Sequence, residues 1–186
     1  MTPDAYLVPL KAFDRAKERL RAGAGLDVPA LARRLAGEVL LACAPVPVIV
    51  VTESLDVAAF AGRFGADVCF SQAGDLNEAL QRAYDALGGR YARLAVVPGD
   101  LRYPAGLGSF DPADGVTVVT DRHGSGTNVL ALPGAVGFHF RYGDDSARHH
   151  ADEARRLGLA VHLIERSTWS IDVDRPEDLE VPPDSV

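Results

Sequence analysis

Leu94-Ala95-Val96-Val97-Pro98-Gly99-Asp100-Leu101 is an apolar run that ends in a turn and an acidic residue. A run this short, closed by Pro-Gly, reads as a strand. Upstream of it the same reading alternates. Leu76 to Leu87 has helical spacing, Asp67 to Phe70 is a short strand, Asp56 to Arg63 a helix, and the β-branched run Val46 to Thr52 a strand. Before Pro45 and Pro47, Leu31, Leu35, Val39 and Leu40 recur at helical spacing, and at the start Tyr6 to Leu10 forms a strand that leads through Lys11 to the helix-prone Arg15 to Leu20. Strands alternating with helices predict an α/β fold with a mostly parallel sheet.

Downstream the rhythm breaks. Val116 to Thr120 and Asn128 to Leu132 are strands joined only by Asp121 to Thr127, too short a link for a crossover helix, so one of them is expected to run antiparallel. Ser146 to Leu157 then reads as a helix, Ala160 to Ile164 as a strand, Ser170 to Val173 as a last short strand, and Pro176 opens a final helical turn. We expect one domain over residues 1–180 and a flexible tail over 181–186, where two prolines interrupt any apolar periodicity.

A chain of 186 residues with 47% hydrophobic content suits a single core. It contains no uncharged apolar stretch of about 18 residues. Its start is interrupted by Asp4, Lys11 and Asp14, so the expectation is a soluble, cytoplasmic protein without membrane span or signal peptide. The net charge of -7, with no basic stripe, argues against nucleic acid or an anionic membrane as partner. An acidic protein that binds anions needs local cations or metal. Cys43 and Cys69 sit in apolar contexts and read as buried thiols, and none of the five histidines has a second strong ligand at metal spacing, His139 and His162 reading as strand residues.

Five constellations carry chemistry. Asp100 follows a strand at the edge of an open α/β sheet where ligands bind, and a carboxylate there can hold Mg²⁺, although Pro-Gly-Asp is also ordinary turn chemistry. In Ile171-Asp172-Val173-Asp174, strand alternation sends both aspartates to one side, where they repel unless a cation lies between them. The competing reading for Asp174 is a cap on the turn begun by Pro176. Lys11, Lys17 and Arg19 cluster at the first strand-to-helix connection, as a triphosphate site or a solvated helix face. Gly124-Ser125-Gly126-Thr127-Asn128, after Asp121 and Arg122, is either an anion-approaching loop or a plain hairpin. Ser146, after Tyr142-Gly143-Asp144-Asp145, is a helix cap or a donor to a bound anion. Trp169 is read as core or as a wall of the site.

Taken in order, Val8-Pro9-Leu10-Lys11 with Ala16 to Leu20, Leu76-Asn77, Pro98-Gly99-Asp100-Leu101, Gly126-Thr127-Asn128, Tyr142-Gly143 with Ser146 and His150, and Asp172-Val173-Asp174 resemble the 2-phospho-L-lactate and phosphoenolpyruvate guanylyltransferase family of coenzyme F-420 biosynthesis. The resemblance implies a single Rossmann-like nucleotidyltransferase domain of the GT-A type, a mostly parallel sheet with an antiparallel strand and helices on both faces. It also implies GTP as donor, Mg²⁺ as cofactor and a small phosphorylated carboxylic acid as acceptor. By the same resemblance Asp100 and Asp172 bind metal, with Asp174 a third ligand or a residue behind them. Thr127, Gly143 and Ser146 would hold the phospho-acid, Lys11, Lys17 and Arg19 the triphosphate, with Lys17 joining Asp100 and Asp172 in catalysis. The loop at Leu76-Asn77 would help read guanine. A homodimer and hand-over of product to the next pathway enzyme stay open.

The sequence departs from the family at Asp75, Arg102, Asp144 and Asp145. Asp75 can pair with guanine or block its pocket, and Asp144 and Asp145 should weaken binding of a dianion unless they turn outward. The competing readings are a nucleotidyltransferase for another acceptor (3-phosphoglycerate, a molybdopterin or a sugar phosphate) and a non-catalytic nucleotide-binding module.

Overall fold

A computed structural model describes residues 2–15, 25–87 and 89–185. Among the described residues, four α-helices and seven strands alternate as expected: β1 (Ala5–Pro9), α1 (Val28–Ala42), β2 (Val48–Thr52), α2 (Leu55–Gly62), β3 (Asp67–Phe70), α3 (Leu76–Leu87), β4 (Arg93–Val96), β5 (Val116–Thr120), β6 (Thr127–Pro133), α4 (Ser146–Arg156) and β7 (Val161–Ile164). The helix expected over Arg15 to Leu20 lies, beyond its first residue, outside the described residues. The strands form one sheet in the order β3-β2-β1-β4-β6-β5-β7. All neighbours run parallel except that β6 opposes both β4 and β5. The antiparallel strand expected from the short 121–127 link is therefore β6.

Central strands covered on both faces are apolar throughout, and pleating sorts their side chains into two layers. Tyr6, Val8, Val50 and Ala95 pack on one side against Ala36, Val39 and Leu40 of α1 and Val57 and Phe60 of α2. Ala5, Leu7, Ile49 and Leu94 pack on the other against Leu80 and Tyr84 of α3 and Ala147 and Ala154 of α4. Helices thus cover both faces. Among the described residues, no helix is long and apolar enough to cross a membrane.

Two expectations are corrected. Ser170 to Val173 is not a strand: Thr168–Ser170 is a 3₁₀ turn, and only Asp172 pairs with the sheet region, through an isolated antiparallel bridge to Leu101. His139 lies in irregular backbone, while His162 is in β7 as expected.

That irregular segment, residues 134–145, returns the chain to the edge where the parallel strands end, and its peptide groups need partners. Side chains of α3 supply them. Asn77 receives the Tyr142 N–H on Oδ1 at 2.6 Å and donates from Nδ2 to the Tyr142 carbonyl at 3.0 Å. Gln81 donates to the Phe138 carbonyl at 3.1 Å and accepts from the Phe140 N–H at 3.3 Å, and the Tyr84 hydroxyl donates to the Pro133 carbonyl at 2.7 Å. Asn77, Gln81 and Tyr84 lie at i, i+4 and i+7, one face of the helix. From the other flank, Glu153 of α4 accepts the His139 N–H at 3.1 Å and pairs with Arg156, whose hydrogen bonds are the main reason its carboxyl falls to about 2.

Asn77→Ala should cost about 2 kcal/mol by leaving two peptide groups unpaired. Amide exchange at Tyr142 should accelerate while β1 and β4 stay protected; equal acceleration in the sheet would show a different role for Asn77.

Candidate functional site

The site lies where β1, β2 and β4 end and β6 begins. β4 pairs with β6 through Val96 and Leu130. That is the last rung of the pair: beyond it lie Asn128 and Thr127 at the start of β6 and, past the end of β4, the turn that carries Asp100. The turn also lies close against β1: a Cβ on Gly99 would fall 2.1 Å from Leu10 Cδ2, so glycine there lets the ends of β1 and β4 converge. Lys11, exposed, follows Leu10 at the end of β1.

Asp172 is brought to the same place by its bridge to Leu101. The Val173 N–H donates to the Asp100 carbonyl at 3.0 Å and the Arg102 N–H to the Ile171 carbonyl at 2.8 Å, so the backbones of Asp100 and Asp172 run side by side. Asn128 orients the second carboxylate, its Nδ2 lying 2.9 Å from the Trp169 carbonyl and 3.4 Å from Asp172 Oδ1. Trp169 is itself fixed edge-on to Phe110 at 5.0 Å and by Nε1 donating to the Ala105 carbonyl at 2.9 Å.

Asp174 is placed differently. It is exposed, two residues beyond Asp172, and its N–H donates to Asp178 Oδ2 at 2.8 Å. The cap of the turn Pro176–Leu179 is Asp178, which also accepts the Arg175 N–H at 2.7 Å. Arg122 Nη2 stands 2.7 Å from the other oxygen of this buried carboxylate. Arg122 and Asp178 therefore tie the 121–126 loop to the segment carrying Asp172. Among the described residues, no group of three or more His, Cys, Asp or Glu side chains is arranged to hold a metal ion. The backbones of Asp100 and Asp172 thus adjoin, while Asp174 leads into the turn whose first amides Asp178 accepts.

Before β6, Asp121 Oδ1 accepts the Ser125 N–H at 2.9 Å and closes the loop that leads to Thr127. The Ser125 carbonyl accepts the Ala147 N–H at 3.0 Å, which seats the loop on the start of α4. Gly143 has φ +127°, and Asp145, at φ 54°, takes the N-cap position without a side-chain cap. Ser146 is the first helical residue rather than the cap, and it is buried. Thr127 Oγ1 lies 3.0 Å from His150 Nδ1, one turn further along α4. Asp144 and Asp145 are exposed, so their charge faces solvent.

The Guanylyl transferase CofC like family model matches residues 5–181. The chain belongs to this family. A phosphoenolpyruvate guanylyltransferase from Roseiflexus castenholzii is 35% identical over 95% of this chain and 86% of its own length. A 2-phospho-L-lactate guanylyltransferase from Methanothermobacter thermautotrophicus is 31% identical over 71% of this chain and 61% of its own. The fold is that of a nucleotidyl transferase from the same organism, with TM-score 0.62 at 16% identity, covering 94% and 93% of the two chains. This CofC-like protein is a nucleotidyltransferase.

Its departures from the family pattern have local structural reasons. Asp75 caps α3, Oδ1 accepting the Glu78 N–H at 2.9 Å. Arg102 reaches away from the site to donate to the Leu179 carbonyl at 2.9 Å, and the Tyr103 hydroxyl donates to the Val181 carbonyl at 2.8 Å where the tail begins. Asn77, expected with Leu76 to help read guanine, donates to and accepts from the Tyr142 peptide group, and Leu76, the first residue of α3, packs partly buried against the core. Lys17 and Arg19 lie outside the described residues. Both cysteines are free; Cys43 is buried, with its thiol pushed up to about 12, and Cys69 is half-buried.

The residues that motif reading left without a role are Asn128, His150, Arg122 and Asp178. The first two stood inside quoted motifs; the long-range pair of the others left no local signal. Burial, followed by the charge of His149, pulls His150 down from 6.5 to about 4. The unfolded chain takes up this proton near 6.5 and the folded one only near 4, so stability is unaffected above that window and falls as pH drops through it. About 2 kcal/mol should be lost between about pH 7 and pH 5, read as the difference in urea unfolding between wild type and His150→Gln. A difference independent of pH would contradict a neutral buried imidazole.

Proposed function

We propose that this protein transfers GMP from GTP to a small phosphorylated carboxylic acid, phosphoenolpyruvate or 2-phospho-L-lactate, in coenzyme F-420 biosynthesis in the cytoplasm. The observation that supports the reading is the Leu101–Asp172 bridge, which sets the backbone of Asp172 against the turn that carries Asp100. An oxygen of the acceptor phosphate attacks the α-phosphorus of GTP, the bond from that phosphorus to the bridging β-oxygen breaks, and pyrophosphate leaves with the electron pair. The acceptor phosphate is ionised at neutral pH, so no strong base is required.

Asp100 and Asp172 suit Mg²⁺, which binds through one or two carboxylates plus phosphate oxygens and needs no third protein ligand. When bound, Mg²⁺ would offset charge on the reacting phosphate and on pyrophosphate. Lys11, at the end of β1, faces the triphosphate, while Thr127, Gly143 and Ser146 hold the phospho-acid. Positioning and electrostatics supply most of the rate.

Purified protein with Mg²⁺, GTP and either phospho-acid should release pyrophosphate and form the guanosine-diphospho-acid, detected by mass; ATP, CTP and UTP should serve poorly. Pyrophosphate from GTP with neither acid, but with 3-phosphoglycerate or a sugar phosphate, would move the acceptor. No release with any acceptor would defeat the reading. Asp172→Asn should lower turnover by about 10²-fold or more, whereas Asp174→Asn should stay within about threefold. Equal losses would restore Asp174 as a ligand.

A further inference from the structure

Thr127 opens β6 at the site edge and is 8% exposed. Its hydroxyl lies 3.0 Å from Nδ1 of His150, a fully buried imidazole on α4 one turn after Ser146. On the far side of the ring, the Arg141 backbone N–H donates to Nε2 at 3.0 Å. A backbone N–H can only donate, so Nε2 carries no hydrogen, and a neutral imidazole with a bare Nε2 bears its hydrogen on Nδ1. The ring is kept neutral by its surroundings: Tyr142 stands edge-on at 4.7 Å and Phe138 at 5.9 Å, and burial lowers its affinity for a proton. Nδ1–H therefore donates to Thr127 Oγ1, which leaves the hydroxyl hydrogen to be directed elsewhere. Ser146 and His150 share one face of α4, four residues apart.

We propose that His150, through its Nδ1–H tautomer, fixes the Thr127 hydroxyl as a hydrogen-bond donor and so selects an acceptor molecule with an ionised oxygen, which can only accept, at that position. His150 is a positioning residue and touches no substrate. The inference rests on the assignment of Thr127 to the phospho-acid. It adds a reason for a histidine in particular: the ring must accept from Arg141 with one nitrogen and donate to Thr127 with the other.

Nitrogen-15 spectra of the full chain, with the His150 signals assigned by their loss in His150→Gln, should show Nδ1 protonated and Nε2 bare; a protonated Nε2 overturns the proposal. In turnover, His150→Gln keeps an acceptor for the Arg141 N–H but loses the donor to Thr127. The KM for the phospho-acid should rise roughly tenfold or more, the scale of one hydrogen bond to a charged group, with the KM for GTP within about twofold. Thr127→Val should give the same split, the double variant should lose no more than either single one, and Thr127→Ser should retain wild-type values. If His150→Gln does not fold, the wild-type tautomer and the Thr127 pair decide. A Thr127→Val enzyme with unchanged KM for the acid overturns this inference while leaving the guanylyltransferase reading intact. Wild-type protein without turnover on any phospho-acid defeats both.

Discussion

β6 runs against β4 and β5, and that reversal sets the geometry of everything around the site. The parallel strands deliver only their carboxyl ends to the functional edge, whereas a reversed strand delivers its beginning. Thr127 and Asn128 therefore stand beside the turn of Asp100, and the loop 121–126 that feeds β6 lies at the same edge. The reversal also carries the chain to the opposite edge after Pro133. It must return without a strand of its own, and the amide side chains of α3 and the carboxylate of Glu153 give that return path the peptide partners a sheet would have supplied.

Charge is organised around this frame. A protein of net charge -7 that binds phosphates must keep its carboxylates from repelling the ligand. The structure does so by giving most of them other partners or facing them to water: Asp75 caps α3, Asp178 accepts two amides and meets Arg122, Asp121 closes its own loop, and Asp144 and Asp145 face solvent. Asp100 and Asp172 stand at the edge itself, where Asn128 Nδ2 lies 3.4 Å from Asp172 Oδ1. His150 adds no charge: it is buried beside Thr127, and burial keeps its ring neutral.

Much of this was legible in the residue pattern. Hydrophobic periodicity located every described helix and strand to within about two residues, and the short 121–127 link exposed the reversal. Local reading failed where a contact depends on distant chain. Ile171-Asp172-Val173 has strand composition, yet only one residue pairs, because the neighbouring chain at Leu101 leaves β4 through a turn and offers a single rung. Asp174 and Asp178 carry the same side chain four residues apart, and only the position of Arg122 and the turn at Pro176 distinguish a buried cap from an exposed residue. Asn77 belongs to a motif that suggests a nucleotide contact, and nothing local in the sequence shows that its amide also pairs with the peptide group of Tyr142.

The central claim is that one bridge makes Asp100 and Asp172 a single functional unit. The most direct test is a double-mutant cycle on kcat/KM with Asp100→Asn, Asp172→Asn and the double variant. If the two carboxylates act on one metal, either substitution alone should remove most of the rate, and the double variant should be no slower than the worse single one. Losses that multiply in the double variant would show two independent residues and contradict the account.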